Sequence, residues 1–75
     1  MSGNFPAVSP KKLMGVLGRT GWEFKRSKGS HHIYKHPDSP DLIVVPVHRG
    51  DIKTGLLHSV INKMGLSREE FLELL

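Results

Sequence analysis

Apolar and polar positions alternate along this chain with two periods, and the switch between them predicts the elements. Leu13, Met14 and Leu17 fall at i, i+1 and i+4 with Val16 beside them, one stripe of a helix. Ser9-Pro10 precedes the stripe as N-cap and first helical residue, and Gly21 supplies the stop. Gly15 and Gly18 each weaken that helix by up to about 1 kcal/mol relative to alanine, a composition that permits close packing on a sheet. Trp22-Glu23-Phe24-Lys25 then alternates with a period of two, which points Trp22 and Phe24 to the core, and Arg26 breaks the pattern. Ser27-Lys28-Gly29-Ser30 reads as a turn, and His31 to Lys35 as a second strand antiparallel to the first. After the turn cluster of residues 36–41, Leu42-Ile43-Val44-Val45 is continuously apolar and reads as a central or doubly covered strand. Pro46 cannot donate to a ladder, which weakens pairing there or places the strand near an edge.

Leu56, Leu57, Val60, Ile61 and Met64 form the stripe of a second helix beginning at Lys53 or Thr54 and ended by Gly65. Ser67 and Glu70 make a capping box for a last short helix carrying Phe71, Leu72, Leu74 and Leu75. The order is α-β-β-β-α-α. It predicts an α+β fold of two layers, a three-stranded antiparallel sheet with helices on one face. Residues 1–8 read as an N-terminal leader and residues 9–75 as a single domain.

Composition narrows the class. The 75 residues hold no cysteine, which excludes disulfides and cysteine-based zinc sites and suits a reducing cytosol. No apolar run approaches a membrane span of about 20 residues, and no signal-peptide segment opens the chain, so a soluble cytoplasmic protein is expected. The net charge of +4 is unevenly placed: residues 1–35 carry a balance of +6 and residues 36–75 one of −2. A solvated basic surface accounts for such an excess, and so does a polyanionic partner, nucleic acid being the obvious one.

The candidate chemistry sits in Lys28-Gly29-Ser30-His31-His32-Ile33-Tyr34-Lys35. Adjacent strand residues point to opposite faces, so His31 shares a face with Ile33 and His32 with Tyr34. Unless His31 lies in the turn, the two histidines therefore do not act as a pair on one phosphate; they do not chelate one ion either, and no other histidine or carboxylate spacing suggests a metal site. Lys25, Arg26, Lys28 and Lys35 are candidate phosphate contacts. Gly29 and Ser30 allow close approach of a phosphate to the backbone. Tyr34 reads equally as a base-stacking residue or a core aromatic. His36 reads as a turn residue, His48 as a surface residue within reach of the site, and His58 as exposed.

Five segments in this order resemble one family. They are Gly21-Trp22-Glu23-Phe24; Lys28 through Pro37; Val44-Val45-Pro46-Val47-His48; Ile52-Lys53-Thr54-Gly55-Leu56-Leu57; and Met64-Gly65-Leu66-Ser67. Together they look like a HicA-type mRNA interferase toxin, the YcfA-like family of type II toxin–antitoxin modules, over Pro6 to Leu75. The resemblance implies a fold like that of a double-stranded RNA-binding domain. It also implies metal-independent cleavage of mRNA without a cofactor, and a HicB-type antitoxin that covers the active site. The family's catalytic histidine matches His31, with His32 as second candidate. The alternative is a non-catalytic RNA-binding module on the same fold, since phosphate contacts need no reactive group.

Overall fold

The computed structural model describes residues 5–75; the first half of the leader, Met1 to Asn4, lies outside the described residues. The order is α1 (Pro10–Arg19), β1 (Glu23–Lys28), β2 (His31–Lys35), β3 (Leu42–Pro46), α2 (Thr54–Met64) and α3 (Arg68–Leu74). This is the expected α-β-β-β-α-α order. The three strands form one antiparallel sheet in the order β1-β2-β3, consistent with a double-stranded RNA-binding-domain-like fold.

The helix boundaries follow their caps. The Ser9 hydroxyl accepts from the Lys12 N–H (3.2 Å) with Pro10 opening α1. Gly65, at φ +74°, ends α2 in the left-handed conformation. Both halves of the capping box are made at α3: the Ser67 hydroxyl accepts from the Glu70 N–H, and the Glu70 carboxylate from the Ser67 N–H.

One core fills the space between sheet and helices. Leu13, Val16 and Leu17 of α1 and Leu57, Val60 and Ile61 of α2 meet Tyr34, Ile43 and Val45 of the sheet, with Trp22, Ile52 and Phe71 around them. The segment ahead of α1 has no regular structure but joins this core. Val8 is buried and its carbonyl accepts from the Ile52 N–H (2.8 Å), while Phe5 packs on the rings of His58 and Phe71.

Four local expectations change. The turn expected over residues 27–30 is only Gly29-Ser30, since Ser27 and Lys28 pair with His32 and His31 as the end of β1. Of the other three, first, β3 is an edge strand, as Pro46 allowed and the apolar run did not, and β2 lies at the centre. Burial alternates along β3: Ile43 and Val45 face the helices, and Leu42 and Val44 are 44% and 38% exposed. An unbroken apolar run therefore does not here mark a strand covered on both faces, because all the packed helices lie to one side. Second, Phe24 is not buried. It sits across from Tyr34 on the helix-covered side but at the β1 edge, 52% exposed, with its ring against His32 and Tyr34. Third, the helix glycines do not serve packing on the sheet. A Cβ on Gly18 would meet nothing, and one on Gly15 would meet only the Arg19 side chain.

His36 is more than a turn residue. Its Nδ1 accepts from the Asp38 N–H (3.0 Å), so the ring proton is on Nε2, which donates to the Thr20 carbonyl (3.2 Å). The ring also meets Trp22 edge-on, tying the end of α1 to the β2–β3 connection. Gly21 makes room for it: at φ +92°, its missing Cβ would lie 2.8 Å from His36 Nε2. Gly21→Ala should therefore destabilise the fold by about 1–3 kcal/mol through left-handed strain alone, with displacement of His36 adding to it. Gly18→Ala, in open space inside α1, should stabilise it by up to about 1 kcal/mol. Thermal melts of both variants, at roughly 4–8 °C per kcal/mol for a domain of this size, check the opposite signs.

Candidate active site

A two-residue turn builds the site. Gly29 (φ +60°) and Ser30, whose φ is not positive, connect β1 to β2 with the φ signs of a type II′ hairpin turn, glycine at its first central position. Lys28 and His31 are the first cross-strand pair beyond it. The Ser30 carbonyl accepts from the Val47 N–H (2.6 Å), so the hairpin tip is also tied to the chain leaving β3.

Register then sorts the side chains. Lys28, His31 and Pro46 lie across from one another, and Arg26, Ile33 and Val44 form the next rung. These residues share the face of the sheet turned away from the helices, because Tyr34, Ile43 and Val45 occupy the other. His31 and Lys28 are exposed, about 5 Å apart at their Cβ atoms by cross-strand geometry. His32 pairs with Val45 on the helix-covered side, half-buried, with its ring beside Phe24.

The other candidates do not all converge. Arg26 joins the group one rung along. Lys35 is on the same face but four residues from His31, roughly 13 Å along the strand, so Lys28 and Lys35 do not flank one phosphate. Lys25 is the extra residue of a register shift between Phe24 and Arg26 and donates to the Glu23 carboxylate (2.9 Å). That contact, with the charge behind it, holds the Glu23 carboxyl below the usual range. Tyr34 is 8% exposed in the core, which is the packing alternative of its two readings. Among the described residues, Arg26 and Lys28 form no ion pair, leaving two cations beside His31, while Lys35 stands across from Glu23 at the far end of the hairpin.

His48 lies one residue past the Val47–Ser30 bond, beside the hairpin tip. Its Nδ1 lies 2.7 Å from the Arg49 carbonyl, which can only accept, so Nδ1 carries a proton and Nε2 is the other available atom. The sequence reading allowed His48 to approach the site, and the backbone bond across 17 residues is what brings it there. Among the described residues no three His, Asp or Glu side chains gather as metal ligands would, and no helix is long and apolar enough to cross a membrane.

A family model described as the HicA toxin of bacterial toxin–antitoxin matches residues 10–66, which spans α1 through the end of α2 and includes every residue of the hairpin site. No curated protein matches the chain.

Burial pushes the Tyr34 phenol above its ordinary range near 10. The folded state therefore keeps the proton where the unfolded chain loses it. That contribution to stability is fully present below about pH 10 and disappears as pH rises through the raised value. Urea melts of the wild type and Tyr34→Phe across pH 8–11 should show the wild type losing stability faster above pH 10. A difference between the two that stays constant with pH would refute the assignment.

Proposed function

The chain belongs to the HicA toxin family, and we propose that it is a metal-independent endoribonuclease of the cytoplasm. On this reading it cleaves mRNA, arrests translation and growth, and is neutralised by a HicB-type antitoxin covering the cut site. The observation that carries the reading is the position of His31. It is an exposed imidazole at the mouth of a glycine turn, across from Lys28 and one rung from Arg26.

RNA can be cut there with its own 2′-hydroxyl as nucleophile. A base removes the hydroxyl proton, the 2′-oxygen bonds to phosphorus, the bond to the 5′-oxygen breaks, and an acid protonates that leaving oxygen. The products are a 2′,3′-cyclic phosphate and a 5′-hydroxyl. His31 transfers one of the protons, histidine's ordinary pKa of about 6.5 suiting either role near neutrality. Lys28 and Arg26 offset the charge that builds on the phosphorane, and the Gly29-Ser30 backbone lets the phosphate come close. Lys25 and Lys35 contact the strand further along, one or two nucleotides from the cut. Tyr34 and His32, on the covered side, hold the strand that presents His31.

The test compares His31→Ala, His32→Ala and His48→Ala for cleavage of a single-stranded RNA in EDTA, and for growth arrest on expression. His31→Ala should lose about 100-fold or more in rate, the scale of a lost proton-transfer group. His32→Ala should stay within a few-fold of wild type if it remains folded. Wild-type cleavage by His31→Ala would remove the assignment, and loss of all cleavage in EDTA would remove the metal-free mechanism. Salt-sensitive RNA binding with no cleavage products and no toxicity would favour a non-catalytic RNA-binding module.

A further inference from the structure

Cleavage at His31 leaves one of its two protons without a carrier. In-line displacement puts the entering 2′-oxygen and the leaving 5′-oxygen on opposite sides of phosphorus. The second proton-transfer group must therefore stand across the phosphate from His31. Two hydrogen bonds of about 2.8 Å, with the phosphorane between them, set the two groups several ångströms apart. Few side chains meet that condition. His32 is on the covered face and Tyr34 is in the core. Both ring nitrogens of His36 are bonded. Glu23 stands at the far end of the hairpin with Lys35, where the connection carrying Asp38 and Asp41 also begins. His58 lies on α2 with its ring against Phe5.

The backbone brings His48 to the required place. Although β3 ends at Pro46, the Val47 N–H donates to the Ser30 carbonyl, so the pairing with β2 runs one residue further. Alternation runs on with it. Pro46 lies across from His31 on the open face, Val47 packs against the core, and His48 follows on the open side, exposed. It is the diagonal neighbour of His31 across the Ser30–Val47 rung, a spacing of about 7–8 Å in a sheet. A phosphate lying over the Gly29-Ser30 turn would have one ring on either side.

We infer that His48 is the second proton-transfer group of RNA cleavage, its Nε2 taking the 2′-hydroxyl proton while His31 protonates the leaving 5′-oxygen. The inference rests on the nuclease reading above. The tautomer assigns the role: Nδ1–H donates to the Arg49 carbonyl (2.7 Å), so a neutral His48 holds its lone pair on Nε2. As that proton passes to His48, the 2′-oxygen bonds to phosphorus. The bond to the 5′-oxygen breaks as His31 gives up its own proton, and exchange with water returns both rings to their starting states. Lys28 and Arg26 beside His31, and Arg49 and Asp51 along the chain from His48, are the charged groups around the pair.

The experiment measures RNA binding and single-turnover cleavage by the wild type, His31→Gln, His48→Gln and His48→Asn. The asparagine amide can keep the bond to the Arg49 carbonyl, so that variant removes Nε2 alone, and cooperative melting identifies the folded variants. One substrate is an ordinary single-stranded RNA and the other carries sulfur in place of the leaving 5′-oxygen. A thiolate leaves without an acid, so sulfur relieves the need for only one of the two groups. Both His48 variants should cut the ordinary RNA about 100-fold or more slowly while binding it within about three-fold of wild type. Sulfur should restore most of the rate to His31→Gln and little to the His48 variants. The wild-type rate should rise and then fall with pH, and the His48 variants should lose the rising limb. A folded His48→Asn that cuts within a few-fold of wild type overturns the inference, and so does one that sulfur rescues. Binding that weakens in step with the rate also overturns it, since His48 would then be a phosphate contact only. If His31→Gln loses its rate and His48→Asn does not, the nuclease reading stands and the inference alone fails. A wild type that cuts neither substrate removes both.

Discussion

A two-residue turn leaves a hairpin one register, and in this fold that register decides which face each histidine takes. Gly29 takes the positive φ, Lys28 and His31 become partners, and every side chain beyond them is assigned a face. His31 falls on the open side with Lys28. His32, its covalent neighbour, falls against Phe24 on the helix-covered side. The Val47–Ser30 bond ties the turn to the third strand as well, so the tip cannot fray without breaking a contact on both sides of β2. A turn with one more residue would slip the pairing and exchange the two rings, because side-chain direction has period two.

That assignment needs a correction further down the hairpin, and Lys25 supplies it. Trp22 and Phe24 must lie toward the helices, whereas Arg26 and Lys28, also even-numbered, must lie on the open face. Simple alternation cannot satisfy both. The extra residue at Lys25 shifts the phase between them, so that Phe24 faces Tyr34 and Arg26 faces Ile33. It also bends an edge strand that already carries three cations, which discourages other chains from pairing with it. One inserted residue thus keeps the apolar start of the strand on the covered side and the basic end beside His31.

Most of this was legible in the residues, and what was not legible shares one physical cause. The helices declared themselves through Ser9-Pro10, Gly65 and the Ser67–Glu70 box, because caps are local chemistry. The hairpin did so through Gly29, although the turn is two residues and not the four of 27–30, and even the phase shift left a mark where Arg26 breaks the alternation. The apolar run misplaced β3 at the centre of the sheet, because it records which side chains are apolar and not what covers them; Pro46 was the signal that allowed the edge. Val8 and Phe5 did not show because a segment without periodicity gives no sign of its burial. His36 read as a turn because its partners, Thr20, Gly21 and Trp22, stand 14 to 16 residues away. At the site the same limit applies: Lys35 looked adjacent to the histidines in sequence but stands a strand's length from His31.

A chain of 75 residues has surface to spare and little mass to cover it. Its three helices pack on one side of the sheet, so the other side stays open whatever its function. The open side carries the only exposed histidine of the sheet, three cations and an aliphatic strip within a width of three strands, about 10 Å. A nucleic-acid strand gripping the cations and a protein packing on the strip would compete for that width. On the proposed reading, inhibition therefore needs no conformational change in the toxin, because the antitoxin excludes RNA by occupying the same narrow face.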